Sequence, residues 1–150
     1  MLEVGEANSW DYTVRINGDN LFIDLDVLDK LLEIANTGTY DFVSNVKGRT
    51  YPYGMSIELI KTSFFRKIYE TYIKDDERYR EHVTLCLYEN EELGKYYFQY
   101  NTEVPEASGL KLSIDTQDDF DKAVLIMKEL KTVGYKYDLK KLVKIFKNEL

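Results

Sequence analysis

The sequence predicts an α/β fold with a largely parallel sheet, and three observations carry that prediction. Short β-rich runs alternate along the chain with longer stretches whose apolar residues recur at helical spacing. At 44% hydrophobic and 31% charged over 150 residues, the composition is that of a folded chain with a real core. No internal repeat, low-complexity tract or linker divides it, so residues 1–150 read as a single domain.

The elements follow in order. "MLEVGEANSW" is helix-like, and "YTVRI" (12–16) alternates as a strand does before "NGDN" breaks it with turn residues. "DLDVLDKLLEIAN" places Leu25, Leu28, Leu31 and Leu32 on one helical face, with Asp24 as N-cap and Gly38 just past the end. "YDFVSNV" (40–46) is a second strand, "KGRTYPYGM" a loop punctuated by Pro52 and Gly54, and "SIELI" (56–60) a short strand. "TSFFRKIYETYI" (62–73) predicts a helix capped by Thr62 or Ser63, and "DDERYREHVTLCLYEN" a second helix after an acidic turn. "YYFQY" (96–100) and "LKLSI" (110–114) read as strands on either side of a loop holding Pro105 and Gly109. In "TQDDFDKAVLIMKELK", Thr116 with Asp119 three residues on resembles a capping box. "VGYKY" is a loop, and a final helix starts near 138.

Several function classes are excluded at this level. Net charge is −7, and the only basic run, "KYDLKKLVKIFKNEL", spaces its lysines as the solvated face of an amphipathic helix, so no nucleic-acid partner is expected. No apolar run approaches the ~20 residues of a membrane helix, and the first residues do not have the pattern of a signal peptide. With one cysteine, Cys86 in "VTLCLY", no internal disulfide forms, which fits a cytoplasmic protein. The single histidine, His82, has no companion for a transition-metal site or a serine-hydrolase triad. Thirteen tyrosines, clustered at 69–100, hint at a partner surface.

Two acids stand out by location. Asp19 follows "YTVRI" and Asp115 ends "LKLSI", and ligands of open α/β sheets sit beyond the carboxyl ends of strands. If the two strands are parallel neighbours, both carboxylates face one crevice, where oxygen ligands with waters and phosphates would hold Mg²⁺. On spacing alone the plainer reading is favoured for each: Asp19 as a turn residue and Asp115 as the cap of the following helix. Arg15 and Arg49 are the cations able to meet a phosphate or carboxylate, with an ion pair to a neighbouring acid as the plainer role for Arg15.

The blocks "VRINGDNLFID", "DFVSNVKGRTYPYGMSIELI", "REHVTLCLYEN" and "LKLSIDTQDDFDKAVLIMKEL", in that order, resemble the sugar cytidylyltransferases of the spore coat polysaccharide biosynthesis type. These are relatives of the acylneuraminate and 3-deoxy-manno-octulosonate cytidylyltransferases. The resemblance implies a three-layer nucleotide-diphospho-sugar transferase-like (Rossmann-like) fold. It also implies transfer of CMP from CTP to a sugar or sugar acid, with Mg²⁺ and release of pyrophosphate, in surface polysaccharide synthesis. The family's "GDxP" aspartate falls on Asp19 and that of its "DTPED" motif on Asp115, implying metal-binding roles. "GRTYPYG" is similar to the family's "RTYPDG" loop, placing Arg49 and Tyr51 on the sugar side. Glu58 and His82 match further family positions, and Arg15 and Asn20, beside Asp19, complete the expected substrate-facing set.

The departures are Leu21 and Gln117 for the two motif prolines and Tyr53 for the loop aspartate. The family's opening strand and its basic loop, similar to "RxxSxRLPGK", have no counterpart in residues 1–150. The expectation is therefore a central and C-terminal portion of such an enzyme, truncated at its start and inactive alone. It would keep the metal acids, lack the CTP cradle and expose a sheet edge that invites a homodimer or another chain. A non-catalytic assembly module built on the same fold is the alternative.

Overall fold

The computed structural model describes residues 1–132, 134–135 and 137–149. Val133 and Lys136, within the expected "VGYKY" loop, lie outside the described residues. Among the described residues, seven α-helices and four strands run in the order α1 (Leu2–Ala7), β1 (Tyr12–Arg15), α2 (Leu25–Asn36), β2 (Phe42–Ser44), β3 (Glu58–Lys61), α3 (Thr62–Ile68), α4 (Glu77–Glu81), α5 (Leu85–Glu89), β4 (Tyr96–Phe98), α6 (Gln117–Lys131) and α7 (Leu139–Glu149).

The sheet has the order β1-β3-β2-β4. β3 runs antiparallel to both β1 and β2, and only β2 and β4 are parallel. The expected largely parallel sheet is thus corrected to a mixed one. The reason lies between β2 and β3. Parallel neighbours need a crossover, whereas residues 45–57 are a loop with one short 3₁₀ turn at Lys47–Arg49, enough only to fold the chain back on itself.

The sheet is covered on both faces. Val43 and Leu59 are fully buried beneath Leu31 and Ala35 of α2, whose start Asp24 caps by accepting from the Asp26 and Val27 amides at 3.0 and 3.2 Å. On the other face Phe42 and Ile60 meet Phe64, Phe65 and Ile68 of α3 and Cys86 and Leu87 of α5. This is the expected three-layer arrangement. A further core, formed by Ala123, Ile126 and Leu130 of α6 with Leu142 and Val143 of α7, closes on Phe22, Met55 and Leu112.

Three expected elements come out differently. "LKLSI" is not a strand of the sheet. Its backbone pairs with Tyr53, whose N–H donates to the Leu110 carbonyl and whose carbonyl accepts from Leu112, each at 2.8 Å. Leu110, Leu112 and Ile114 turn into the α6/α7 core, which explains the alternation without a sheet. The helix expected over 62–73 leaves α-geometry after Ile68 for a π-turn at Tyr69–Ile73, and neither Thr62 nor Ser63 caps it: the N-cap is Lys61. The single helix expected over "DDERYREHVTLCLYEN" is two, because His82 leaves the helical region at φ −110° and ψ 77°. The capping box of α6 is present as read, with Thr116 and Asp119 bonding reciprocally.

The join between the sheet and the α6/α7 core is tight at Gly54. Its φ is +90°, and a Cβ there would stand 2.3 Å from the Ser113 nitrogen. Both the backbone conformation and the space require glycine. Gly54→Ala is therefore expected to destabilise the fold by about 2–3 kcal/mol, read from the midpoint of a urea unfolding curve. An unchanged midpoint would show that these segments do not approach as described.

Candidate functional site

A cleft of about 770 Å³ opens where the loops after β1 and β2 meet α5 and the 110–115 segment. Its floor is a buried polar chain. Glu58, 2% exposed on β3, lies directly across the ladder from Arg15 on β1, and the two form an ion pair through Arg15 Nη1 and Glu58 Oε2. The other oxygen, Glu58 Oε1, accepts from the Tyr88 hydroxyl at 2.7 Å. Tyr88 has one proton and spends it on Glu58, so the 2.6 Å contact between Ser44 Oγ and Tyr88 Oη is donated by Ser44. Ser44 Oγ in turn accepts the Val46 N–H at 3.0 Å. Every donor points toward the carboxylate. Burial first, and then the Glu58 charge, push the Tyr88 phenol far above the ordinary tyrosine range, so it remains a donor.

The rim carries groups with little internal business. Asp19 is half-buried in the turn after β1, and among the described residues its carboxylate makes no hydrogen bond or ion pair. Asn20 is fixed beside it by donating from Nδ2 to the Ser56 carbonyl at 3.2 Å. Arg49 sits at φ +49°, in the left-handed region that costs a non-glycine residue about 1–3 kcal/mol. Its guanidinium lies 4.9 Å from the Tyr53 ring centroid, with no acidic partner among the described residues. Backbone strain that carries an uncommitted cation onto a cleft wall is the kind found at ligand sites. His82, exposed at the break between α4 and α5, also lines the cleft.

The structure thus brings together Arg15, Asp19, Asn20, Arg49, Glu58 and His82 from distant parts of the chain. Two expected residues stand elsewhere. The Tyr51 ring is 7% exposed in the α6/α7 core, and it borders a separate groove with Asp24, Gln99 and Asp138. Asp115 is held away from the cleft's lining. Lys111 Nζ pairs with its Oδ2 at 2.9 Å and Ser113 Oγ donates to it at 3.1 Å, and these two, the lysine foremost, hold its pKa below the usual carboxylate range. The backbones do meet, since the Ile114 N–H donates to the Asp19 carbonyl at 3.3 Å. The premise that both acids end adjacent parallel strands is corrected, because 110–114 is not in the sheet.

Ser56, Thr84 and Tyr88 also line the cleft and were not singled out in the sequence, and Tyr53, noted there only as a departure from the motif, lines it too. Tyr88 had a signal only in retrospect: it follows Thr84 by four residues, which puts both on one face of α5. Nothing local says that this face meets Glu58.

Magnesium takes an octahedral shell of oxygens, commonly one or two protein carboxylates completed by waters and phosphates. The uncommitted Asp19 carboxylate is the rim acid that would serve as one such ligand, whereas Asp115 is engaged by Lys111 and Ser113 outside the cleft's lining. No group of three or more His, Cys, Asp or Glu side chains is placed to hold a metal among the described residues, so phosphates and waters would supply the rest of the shell.

No protein-family model matches the chain. An uncharacterized protein of Methanocaldococcus jannaschii is 34% identical over 113 residues, covering 75% of this chain and 44% of that protein. The spore coat polysaccharide biosynthesis protein SpsF of Bacillus subtilis is 27% identical over 122 residues, covering 80% and 48%. The chain spans about half the length of these curated relatives. A solved cytidylyltransferase from Leptospira borgpetersenii superimposes with a TM-score of 0.82 at 25% identity, over 99% of this chain and 60% of that one. Among the described residues, no helix is long and apolar enough to cross a membrane.

The buried chain makes a stability prediction. Tyr88→Phe leaves Glu58 Oε1 without its donor, and an unsatisfied buried acceptor costs about 1–3 kcal/mol. The expected result is a lower urea midpoint with an unchanged slope. A wild-type midpoint would mean that the hydroxyl does not serve Glu58.

Proposed function

We propose that this chain, related in sequence to SpsF and in fold to a cytidylyltransferase, forms the sugar side of a cytidylyl-transfer site. The reaction is transfer of CMP from CTP to a sugar or sugar acid destined for a surface polysaccharide. The observation that carries this reading is the cleft itself: Asp19, Asn20, Arg49 and His82 surround an open space over the Arg15–Glu58–Tyr88 floor.

In the proposed chemistry a sugar hydroxyl oxygen bonds to the α-phosphorus of CTP. The bond from that phosphorus to the bridging oxygen breaks, pyrophosphate leaves, and the hydroxyl proton passes to solvent. Bound Mg²⁺ would neutralise charge on the phosphoryl group. Asp19, with Asp115 as second candidate, would hold it. Arg49 meets a carboxylate or phosphate on the substrate, Asn20 orients a sugar hydroxyl, and Glu58 keeps Arg15 in place at the cleft floor. Residues 1–150 contain no glycine-rich basic loop and span about half the length of the curated relatives, so this reading assigns the cleft to the sugar and assigns no residue here to the grip on the triphosphate.

The tyrosines clustered at 69–100 favour a second reading, an assembly module on the same fold. The two part over which residues matter in the host. If Asp19→Ala and Asp115→Ala leave host function intact while changes at Tyr96 to Tyr100 abolish it, the assembly reading stands.

The direct test measures pyrophosphate release from CTP with Mg²⁺ and a panel of sugars and sugar acids. Residues 1–150 are assayed alone and with the polypeptide encoded immediately upstream. The expected outcome is no turnover alone, and turnover in the mixture that Asp19→Asn lowers by about 100-fold or more and Arg49→Ala weakens through KM. Tight CTP binding by residues 1–150 alone, or turnover indifferent to Asp19→Asn, contradicts the proposal.

A further inference from the structure

The hydrogen-bond relay under the cleft has two ends, and each end serves a cation. At one end Arg15 pairs with Glu58 Oε2. At the other, the Val46 N–H donates to Ser44 Oγ at 3.0 Å, and Val46 opens the short turn that bears Arg49. Val46 is held from its other side as well, since its carbonyl accepts the Arg49 N–H at 3.1 Å. The Arg49 backbone is thus set by Val46, and Val46 by Ser44. Between the two ends stands one hydroxyl, that of Tyr88, which donates to Glu58 Oε1 and accepts from Ser44 Oγ.

The relay runs one way only. A backbone N–H can only donate and a carboxylate can only accept, so the order from Val46 through Ser44 and Tyr88 to Glu58 is forced. Bonds aligned head to tail polarise one another, so loss of one link weakens the rest. The ring that carries the hydroxyl is fixed independently of the groups it serves. Tyr88 meets Phe42 edge-on with centroids 5.3 Å apart, and it stacks on Phe98 at 6.2 Å and 25°. The aromatic core therefore aims the hydroxyl. Ser44 and Glu58 are buried beneath the cleft. Every donor and acceptor of the relay belongs to this chain, so residues outside 1–150 can line the cleft above it without entering it.

We propose that Tyr88 is a positioning residue that sets both cleft arginines at once. Through Glu58 its hydroxyl holds the Arg15 guanidinium at the cleft floor. Through Ser44 and Val46 it holds the backbone that presents Arg49. The two cations then form one anion-receiving unit, whose geometry is fixed before a ligand arrives. The role needs no contact between Tyr88 and the ligand. The choice of ligand rests on the cytidylyl-transfer reading of the cleft, whereas the positioning does not.

The test has a ligand-free arm and a ligand arm, both on the 150-residue chain. The first follows the side-chain Nε–H signals of Arg15 and Arg49 by heteronuclear NMR. Tyr88→Phe keeps the ring and removes the hydroxyl, and it is expected to shift both signals. Ser44→Ala cuts the relay beyond Tyr88, and it is expected to shift Arg49 while leaving Arg15 in place. A general loosening of the core would not separate the two arginines in this way. The second arm titrates CMP-N-acetylneuraminate with Mg²⁺. Tyr88→Phe is expected to weaken binding by about 3–10-fold, and by a smaller factor in an Arg49→Ala background, because coupled groups are not additive. Signals that stay put in both variants overturn the proposal. So does a Ser44→Ala protein in which Arg15 shifts as much as Arg49, or a Tyr88→Phe loss that is the same factor with and without Arg49. If wild type does not bind the probe, the cytidylyl-transfer reading of the cleft fails, and the ligand-free shifts still decide the positioning role. If Tyr88→Phe does not fold, Ser44→Ala decides: a shift at Arg49 alone supports the relay, and unmoved signals refute it.

Discussion

A single buried carboxylate organises this structure. Glu58 opens β3, an inner strand of the sheet, and a carboxylate buried there is tolerated only if its oxygens are filled. Its partners come from three places: Arg15 from β1, Tyr88 from α5 and, through Tyr88, Ser44 from β2. The need to satisfy one side chain therefore sets the position of α5 against the sheet and fixes Arg15. The Val46 amide at the end of the chain of bonds starts the loop that carries Arg49. The antiparallel pairing of β1 with β3 is part of the same solution, because it places Arg15 directly opposite Glu58.

The cleft follows from how the α6/α7 core is attached. That core does not join the sheet through a strand. It grips the loop after β2, where Gly54 admits the 110–113 backbone, and the loop after β1, where Ile114 bonds Asp19. Two loops that would otherwise be free are thus held around an open space. Asp19 and Arg49 keep side chains without internal ionic partners among the described residues, on backbone that is tied down. Ser108 contributes by donating to the Arg49 carbonyl at 2.9 Å, which steadies the strained residue. A fixed frame with uncommitted charges is what ligand binding with little reorganisation requires.

Much of this was legible in the chain. Helix α2 with its Asp24 cap, the capping box of α6 and the amphipathic α7 are local signals, and each appears as read. Strand direction was not legible, because alternation of strands with helices does not say which strands become neighbours. The loop between "YDFVSNV" and "SIELI" held the clue, being too short on helix for a crossover. "LKLSI" misled because an extended segment facing a helical core alternates just as a strand does. Among the residues that line the cleft, Asp19 and Arg49 stood out by position and charge, after a strand and in a Gly/Pro loop, while His82 entered through the ordered motif blocks. Tyr51 and Asp115 share those blocks, yet the fold turns one into a core and pairs the other with Lys111. Tyr88 stayed invisible because its role depends wholly on a tertiary contact.

The account stands on the claim that the cleft over Glu58 is where the activated sugar lies. Backbone amide NMR of the chain, titrated with a CMP-linked sugar acid and Mg²⁺, addresses that claim residue by residue. The account predicts shifts confined to Asn17–Asn20, Val46–Arg49, Tyr53 and His82–Leu85. Shifts gathered instead at the groove of Asp24, Tyr51 and Asp138, or no shifts at saturating ligand, would contradict it.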